Sequence, residues 1–329
     1  MINIMELLRS ISIDREAIEL SIEYGISPYM AKRYIELFSY KGAISFLNTI
    51  RLGLKKSIRC NTLKISCNEL LRKIKDRMVV KQTPWVPYGF WILKSKVNIG
   101  ATPEYLLGYY YIQGVASMLP PLILNPKPGE RVLDMCAAPG GKTTQLAQIM
   151  ENKGSILALD VDRTRMRALR SNISRLGVRN VVTLLLDARK IVGVGEKFDK
   201  VLVDAPCTGE GLLPLIPERG RSRSLYDMYV LMKLQYELLK SAILVTKKGG
   251  VIVYSTCSIA PEENEFIVNL ILKEYSGKIE LVDISFYGEK GLTEIYGLKL
   301  NSELERCLRL YPHIHRTEGF FICKLRKKV

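Results

Sequence analysis

Histidine is nearly absent from this sequence of 329 residues. The only two, His313 and His315, stand close together in the segment YPHIHRTEG near the carboxyl end. A catalytic pair of the Ser–His or Cys–His kind would have to use one of these two side chains. An H-x-H pair can bind a metal ion, but a third protein ligand is not evident. Proton transfers in any reaction are therefore expected to use mostly Asp, Cys, Lys or water.

The sequence also lacks the marks of a membrane-spanning, secreted or zinc-binding protein. It has no run of about 18 apolar residues, which a membrane-spanning helix needs. The amino-terminal segment MINIMELLRSISIDREAIEL has acidic and polar residues where a signal peptide has an apolar centre. The seven cysteines are odd in number, scattered, and never spaced C-x-x-C. We therefore expect a reducing compartment, the cytoplasm, with no disulfide framework, no metal site and no membrane partner.

Two common nucleotide-binding motifs are missing. A Walker A loop would need glycine at position 136, where this sequence has Cys136. The G-x-G-x-x-G motif is absent as well. These absences argue against a phosphate clamp of the P-loop type and against a nicotinamide-dependent dehydrogenase.

Acidic residues are outnumbered by basic ones. The sequence has 49 Lys and Arg against 33 Asp and Glu, a net charge of +16, and a pI of about 9.5. This excess predicts a polyanionic partner, either nucleic acid or an anionic membrane surface. A solvated basic surface without such a partner is the alternative.

The first two regions of the chain differ in pattern. Residues 1–52 carry apolar residues at helical spacing, with Ser27 and Pro28 as a helix start. Residues 53–100 have the pattern of a small α+β unit, in which Trp85, Phe90 and Trp91 would either stack on bases or pack in a core. The strong positive charge of this unit comes from Lys55, Lys56, Arg59, Lys64, Arg72, Lys73, Lys75, Arg77 and Lys81.

In the third region, residues 101–329, strand-like runs alternate with helical stretches. The runs are RVLDMCA, SILALDV, VVTLLLDA, KVLVDAP and GVIVYSTC. Apolar runs flanked by helices predict an α/β fold, with a parallel sheet covered on both faces.

Ligands of such sheets bind outside the carboxyl ends of the strands. The turn DMCAAPGGKTT follows the first strand, and Gly140 and Gly141 would let its backbone come close to a ligand. Asp160 ends the second strand and suits the two hydroxyls of a ribose. Asp187 ends the third strand and would meet an adenine edge. Helix capping is the alternative for these acids. Together they describe a nucleoside cofactor without a phosphate clamp, and S-adenosylmethionine fits that description.

Four long motifs in one order resemble those of a known family. VLDMCAAPGGKTT, DAPCTGEG, YSTCSIAPEENE and PHIHRTEGFF are similar to motifs of the RNA (cytosine-C5)-methyltransferases of the NOL1/NOP2/Sun family, its short archaeal tRNA members in particular. The resemblance covers about residues 55–329 and includes YIQGVASMLPP. A small departure is Thr208, where serine is commoner. No candidate PUA domain is seen, which argues against the members that need one.

The resemblance implies a fold and a cofactor site. The fold is a Rossmann-type class I methyltransferase domain with a mostly parallel seven-stranded sheet, preceded by an RRM-like RNA-binding unit. The implied S-adenosylmethionine site consists of Cys136, Ala137, Ala138, Pro139, Gly140, Gly141, Lys142, Asp160, Arg165, Asp187 and Asp204.

The resemblance also assigns catalytic roles. Cys257 is the nucleophile that adds to C6 of cytosine, which makes C5 able to attack a sulfonium methyl group. Cys207 assists product release. Asp204 would hydrogen-bond N4 or N3 of the base, and Lys142 would hold the cofactor carboxylate, lower a thiol pKa or pair with Asp204. Because neighbouring strands lie about 4.8 Å apart, both thiols would face one pocket. Burial in a core is the alternative for cysteines, and it is expected for Cys60, Cys67, Cys307 and Cys323.

Several alternatives concern the partner. RNA is expected, tRNA before rRNA, with the target base flipped or unpaired and no obligate protein partner indicated. A DNA cytosine-C5 methyltransferase would need only the Pro-Cys thiol, and a non-catalytic assembly factor would have eroded motifs. Arginines on one predicted helix face would contact RNA or only solvent (Arg163, Arg167 and Arg170). Others beside the active-site turn are better placed for RNA: Arg219, Arg221 and Arg223. The two histidines would be structural or face RNA.

Overall fold

Helices and strands alternate along the chain after a helical start. The computed structural model describes residues 12–222 and 224–329. The helices are α1 (Arg15–Tyr24), α2 (Pro28–Leu52), α3 (Cys67–Ile74), α4 (Pro103–Leu106), α5 (Leu119–Leu124), α6 (Gly141–Ile149), α7 (Arg163–Arg175), α8 (Leu225–Val245), α9 (Glu265–Glu274) and α10 (Pro312–His315). The expected lack of a signal peptide concerns mainly residues 1–11, which lie outside the described residues.

The strands belong to three sheets. They are β1 (Ser57–Cys60), β2 (Met78–Gln82), β3 (Gly89–Ser95), β4 (Tyr110–Ile112), β5 (Arg131–Asp134), β6 (Ser155–Asp160), β7 (Val181–Leu185), β8 (Phe198–Asp204), β9 (Thr246–Thr256), β10 (Ile279–Leu281), β11 (Glu289–Lys290), β12 (Glu294–Ile295), β13 (Leu298–Lys299), β14 (Leu308–Leu310) and β15 (Phe320–Lys327).

The first helices pack onto the rest of the protein. α2 begins at Pro28 after Ser27, as the sequence predicts, and it is broken at Ser39, whose backbone has φ 63° and ψ 170°. Its apolar side chains, among them Phe46, form one buried cluster with Leu213 and Ile259 of the third region. The helical segment therefore shares a hydrophobic core with the loops that follow β8 and β9.

A four-stranded antiparallel sheet follows the helices. Its strand order is β2-β3-β1-β4, with α3 after β1 and α4 after β3, which is a βαββαβ connection. Tyr110 of β4 lies opposite Cys60 of β1. The sheet thus continues past residue 100, where the sequence pattern placed a boundary. A strand as short as β4, with 3 residues, leaves no clear alternation in the sequence.

The large sheet has nine strands rather than seven. The order is β11-β14-β15-β9-β8-β5-β6-β7, and β10 also pairs with β15. The five strands from β5 to β9 are parallel, and β15 runs antiparallel to β9. The two strands beyond the expected seven, β10 and β11, have 3 and 2 residues, too few to give a pattern in the sequence. The predicted class I methyltransferase fold is confirmed, with two short additions.

Helices cover both faces of this sheet. The β8 residues Val201, Leu202 and Val203 are each 0% exposed, although their side chains alternate between the two faces. Burying each such side chain contributes roughly 1.5–3 kcal/mol to folding. The carboxyl ends of β5, β6, β8 and β9 therefore stand on a rigid scaffold.

Two cysteines expected to be simple core thiols are joined. Cys307 and Cys323 form a disulfide with their Cα atoms 4.5 Å apart. Cys307 precedes β14 and Cys323 lies in β15, so the strand pairing brings them opposite each other. This pairing could not be predicted from sequence, because the 16-residue separation resembles no disulfide motif.

Among the helices of residues 12–222 and 224–329, none meets the length and hydropathy that a membrane span requires.

Candidate active site

The two cysteine turns meet at the carboxyl end of the large sheet. β8 and β9 are hydrogen-bonded neighbours, and the loops that follow them carry Cys207 and Cys257. The two Sγ atoms are 3.3 Å apart. The structure thus brings together the thiols that the sequence placed at the ends of two similar strands.

The hydrogen bond between the thiols separates their acidities. The bond from Cys207 lowers the pKa of Cys257, and the charges of Lys142 and Arg219 act in the same direction against burial and Asp204. The same bond, together with burial, raises the pKa of Cys207 well above its usual value. Because the thiolate is the nucleophilic form, Cys257 is suited to attack and Cys207 to keep its proton.

A charged pair lies beside the thiols. Lys142 Nζ donates to Asp204 Oδ2 at 2.7 Å and to Ser117 Oγ at 2.9 Å. Ser255 Oγ donates to Asp204 Oδ1 at 2.8 Å. Burial opposes the charged form of Lys142, but Asp204 outweighs it and the Lys142 pKa is raised. Lys142 therefore stays cationic, and both oxygens of Asp204 are held in place.

Hydrogen bonds tie the loop of Cys207 to the loop of Cys257. Thr208 donates to Glu263 twice, from N to Oε1 at 2.8 Å and from Oγ1 to Oε2 at 2.5 Å. Gly211 N donates to the Cys257 carbonyl at 3.0 Å. Thr208, the position that departs from the family pattern, thus uses its hydroxyl in this bridge.

The Gly-rich turn between β5 and α6 packs against α7. Gly140 has φ 104°, and a Cβ at this position would lie 2.8 Å from Leu169 Cδ1. Glycine is therefore required by backbone conformation and packing, in addition to the close ligand approach that the sequence predicts. Ala137 N donates to the Leu159 carbonyl at 2.8 Å, so the turn lies across the end of β6.

Asp160 lies under this turn. It accepts hydrogen bonds from Ala138 N at 3.1 Å and from Asp162 N at 3.0 Å. A carboxylate has about four acceptor positions, so about half remain for a ligand. Arg165 donates to the Ala138 carbonyl and its Nη1 lies 3.7 Å from Asp160 Oδ2.

Asp187 follows the neighbouring strand β7. It accepts from Arg189 N at 3.0 Å and forms an ion pair with the Arg189 side chain at 2.6 Å. This is the capping role that the sequence left open as an alternative. Asp187 is only partly buried, with 23% of its side chain exposed, so a ligand can still reach it.

Asp134, at the end of β5, was not singled out in the sequence. It is 1% exposed, its Oδ2 accepts from Thr143 Oγ1 at 2.7 Å, and its Oδ1 has no hydrogen-bond partner among the described residues. Burial raises the pKa of Asp134 to about 7. Asp134 therefore lies enclosed beneath the Gly-rich turn, where the hydroxyl of Thr143 and the backbone of Cys136 act on its carboxyl group.

Family models match most of the chain. Residues 121–326 match the model described as 16S rRNA methyltransferase RsmB/F, and residues 30–115 match the N-terminal domain of 16S rRNA methyltransferase RsmF. The chain belongs to the RsmB/F family. This confirms the family resemblance drawn from the four motifs.

Relatives within this family act on different RNAs. The chain is 39% identical to the 25S rRNA (cytosine-C(5))-methyltransferase nop2 of Schizosaccharomyces pombe, over 97% of this chain but only 54% of that protein. It is 38% identical to the tRNA (cytosine(49)-C(5))-methyltransferase of Pyrococcus abyssi, over 83% of this chain and 88% of that one. The crystal structure of a methyltransferase homologue from Pyrococcus horikoshii superposes with a TM-score of 0.87 at 42% identity, covering 95% and 99% of the two chains.

One arginine of the basic unit in this RsmB/F family member is buried. Arg59 is 0% exposed, donates to the Gly141 carbonyl at 2.5 Å and to Thr144 Oγ1 at 2.8 Å, and so holds the start of α6. Burial lowers the pKa of Arg59 to about 10. Arg59 was counted in the positive charge of the basic unit, but its buried side chain is directed toward α6 and adds nothing to the charged surface.

Of the other arginines considered for RNA binding, some are exposed and some donate hydrogen bonds within the protein. Arg163, Arg167 and Arg170 are exposed along α7, as the helix pattern predicts. Arg219 donates to the Thr208 carbonyl at 3.1 Å and so belongs to the active-site loop. Arg221 donates to the Gly25 carbonyl at 2.9 Å. Arg223 lies outside the described residues.

Both histidines pack inside the protein. His315 is 4% exposed and its Nδ1 accepts from Tyr311 N at 2.9 Å. His313 contacts Phe38 edge to face at 4.8 Å, and burial lowers the His313 pKa to about 4. The sequence allowed either a structural role or contact with RNA for the two histidines, and these packing contacts agree with the structural role.

The aromatic side chains of the basic unit are also mostly packed. Phe90 is 3% exposed, and the partly buried Trp85 and Trp91 pack against the core between the two sheets. Tyr287 stacks on Trp85 with ring centroids 5.9 Å apart.

Within residues 12–222 and 224–329, no group of three or more His, Cys, Asp or Glu side chains is arranged to hold a metal ion.

Proposed function

We propose that this chain is an RNA (cytosine-C5)-methyltransferase that takes its methyl group from S-adenosylmethionine. The observation that carries the proposal is the pair of thiols 3.3 Å apart beside the Lys142–Asp204 ion pair. Membership of the RsmB/F family supports the same reaction. The chain spans only about half of the Schizosaccharomyces pombe protein. The proposed activity is therefore argued from the site residues of this chain and not from that relative's activity.

The residues at the strand ends fit S-adenosylmethionine. Asp160 has free acceptor positions for two ribose hydroxyls, and the partly exposed Asp187 suits the adenine amino group. The turn Cys136–Lys142, with Arg165 over it, is proposed to hold the methionine part. When bound, the cofactor supplies an electrophilic methyl group.

We expect Asp160→Ala to weaken S-adenosylmethionine binding by about 10- to 100-fold, since hydrogen bonds to a charged group contribute about 1.5–3 kcal/mol. Calorimetry measures this directly. Asp162→Ala is the matched control, because Asp162 is an exposed carboxylate that caps α7 and accepts from Thr164 N at 2.7 Å. Equal affinity of the wild type and Asp160→Ala would remove Asp160 from the site.

The two thiols divide the covalent chemistry between them. The Cys257 thiolate forms a bond to C6 of cytosine, and the electron pair of the C5–C6 double bond is released to make C5 nucleophilic. After C5 has gained the methyl group, its proton passes to water, directly or relayed through the Cys207 sulfur, and the C6–sulfur bond breaks, which restores the double bond and the thiolate. Cys207 is proposed to assist this last stage, through its position at 3.3 Å from Cys257.

Asp204 and Lys142 are proposed to prepare the base and the thiol. Asp204 would hydrogen-bond N4 or N3 of cytosine, which favours the addition at C6. Lys142 fixes Asp204 at 2.7 Å and its charge favours the Cys257 thiolate. The target cytosine has to be unpaired or flipped to reach this buried pair.

We propose tRNA as the substrate and rRNA as the alternative. The chain spans 88% of the Pyrococcus abyssi tRNA enzyme, which supports tRNA. The match over 97% of this chain to an rRNA enzyme keeps rRNA as the second candidate. RNA would lie on the basic unit of residues 53–100 and on exposed arginines of α7, attracted by its phosphates.

Incubation with methyl-labelled S-adenosylmethionine tests the function. We expect label to enter tRNA transcripts, with bisulfite sequencing placing it at C5 of a cytosine, and less or none to enter rRNA fragments. Label in rRNA alone would show that rRNA, and not tRNA, is the substrate, while the proposed reaction would stand. No label in either RNA or in total cellular RNA, from a protein that binds the cofactor, would contradict the proposed function.

A further inference from the structure

A buried arginine of the helical segment bridges two carboxylates of the active-site loops. Arg33 lies in α2 and is 1% exposed. Its Nη1 donates to Glu210 Oε1 at 2.7 Å, while its Nε and Nη2 donate to Glu262 Oε1 at 3.2 and 3.1 Å. We call these three residues the Arg33 clamp.

The two carboxylates of the Arg33 clamp belong to different cysteine loops. Glu210 follows Cys207 in the loop after β8. Glu262 follows Cys257 in the segment between β9 and α9. A single side chain from outside the methyltransferase sheet therefore contacts both loops that carry a thiol.

The geometry of the Arg33 clamp adds a second restraint on the distance between the loops, beside the Thr208–Glu263 hydrogen bonds. A guanidinium is planar and presents its N–H donors in a rigid fork, so two carboxylates bound to it cannot move apart freely. Tyr34 Oη also donates to Glu210 at 3.1 Å, and Tyr296 Oη donates to Glu262 at 3.0 Å. Each of the two carboxylates therefore accepts a further hydrogen bond from a tyrosine hydroxyl, in addition to those from Arg33.

Fold stability gives a weaker reason for this arrangement. Burying one cation with two carboxylates removes three charges from water, and apolar side chains of similar size often stabilise a core as well or better. Burial raises the pKa of Glu210 to about 7 even though Arg33 opposes it. Burying these charges therefore costs desolvation free energy. A role in fixing the loop geometry explains this cost better than a role in fold stability does.

We propose that Arg33 is a positioning residue for the methyl-transfer reaction, which holds Cys207 against Cys257 by bridging Glu210 and Glu262. The inference rests on the proposed function for its role in turnover. Its direct consequence concerns the two thiols and needs neither RNA nor cofactor. If the loops separate, the hydrogen bond from Cys207 that favours the Cys257 thiolate is lost.

The groups that act most strongly on the pKa of the Cys257 thiol are Cys207, Asp204, Lys142 and Arg219. Arg33 donates to Glu210 and Glu262 in the two loops, so we expect it to act on the acidity of Cys257 through the loop positions. This makes the pH at which Cys257 reacts a measure of the loop positions. Arg33→Lys, which keeps the charge, separates this effect from a loss of charge.

The test is the rate of alkylation of Cys257 by iodoacetamide as a function of pH, followed by peptide mass spectrometry on the full chain. In Arg33→Met and Arg33→Lys we expect the midpoint of the pH profile to rise by about one unit, so that the reaction below the midpoint slows about tenfold. Lysine keeps the charge but cannot bridge both carboxylates as a fork. Arg51→Met is the matched control, since Arg51 lies in the same helix, is 56% exposed and pairs with Glu23 at its surface.

A double-mutant cycle separates positioning from general loss of structure. Cys207→Ala alone should raise the Cys257 midpoint, and adding Arg33→Met to it should cause no further rise. An unchanged midpoint in Arg33→Met, or a rise of equal size with and without Cys207, would overturn the proposal. If Arg33→Met does not fold, as judged by thermal melting, Arg33→Lys and Glu210→Gln decide the question by the same two criteria. The alkylation experiment uses no RNA, so its result does not depend on whether the proposed RNA substrate is correct.

Discussion

Replacing Cys257 with alanine is expected to lower methyl transfer at least ~10³-fold while leaving S-adenosylmethionine affinity unchanged. C5 of cytosine attacks a methyl group only after a nucleophile has added at C6, and the Cys257 thiol, whose pKa is lowered by Cys207, is the group that can add. Incorporation of labelled methyl into RNA measures the first effect, and calorimetry measures the second.

A control variant separates this loss from the general effects of removing a thiol. Cys67→Ala removes a half-buried cysteine in the four-stranded unit, away from the loops, and should methylate at the wild-type rate. Full turnover by Cys257→Ala would show that another group adds to the base.

The second large effect is expected from Cys207→Ala. The remaining thiol should still attack and C5 should still be methylated, but release of the product should slow because the group at 3.3 Å is gone. A protein–RNA complex that survives denaturing electrophoresis should therefore accumulate, from undetectable in the wild type to most of the enzyme present. The gel is run with labelled RNA and cofactor.

The reverse pattern would identify the other mechanism. If Cys207 were the nucleophile, as in the DNA-type reaction, Cys207→Ala would make no adduct and Cys257→Ala would stay active. If both thiols were only structural, neither variant would trap RNA, and only thermal stability would change.

Much of the site could be predicted from sequence because its residues lie at the ends of strands. The five parallel strands are visible as apolar runs, and the order of a parallel sheet brings their carboxyl ends to one edge. Cys207, Cys257, Asp204 and Asp160 lie at the ends of those runs, so their placement at one edge of the sheet follows from the topology. The start of α2 at Pro28 could be predicted for a similar reason, since its signal is local.

Contacts between distant segments could not be predicted. Arg33 meets Glu210 and Glu262 across 177 and 229 residues, and nothing in the local pattern of α2 marks it for burial. The burial of Arg59 could not be predicted either, because basic residues surround it in the sequence, yet its side chain donates to the Gly141 carbonyl at the start of α6. Strands as short as β4, β10 and β11 have too few residues to show an alternation, which is why the extent of both sheets was misjudged.

The central claim is that Cys257 forms the bond to cytosine and that the base is methylated while the bond exists. Mass spectrometry of the adduct trapped by Cys207→Ala tests it most directly, after digestion of the RNA and the protein. We predict a peptide containing Cys257 that carries a cytidine nucleotide plus one methyl group. A nucleotide attached to any other residue, or an unmethylated cytidine on Cys257 in the presence of S-adenosylmethionine, would contradict the account.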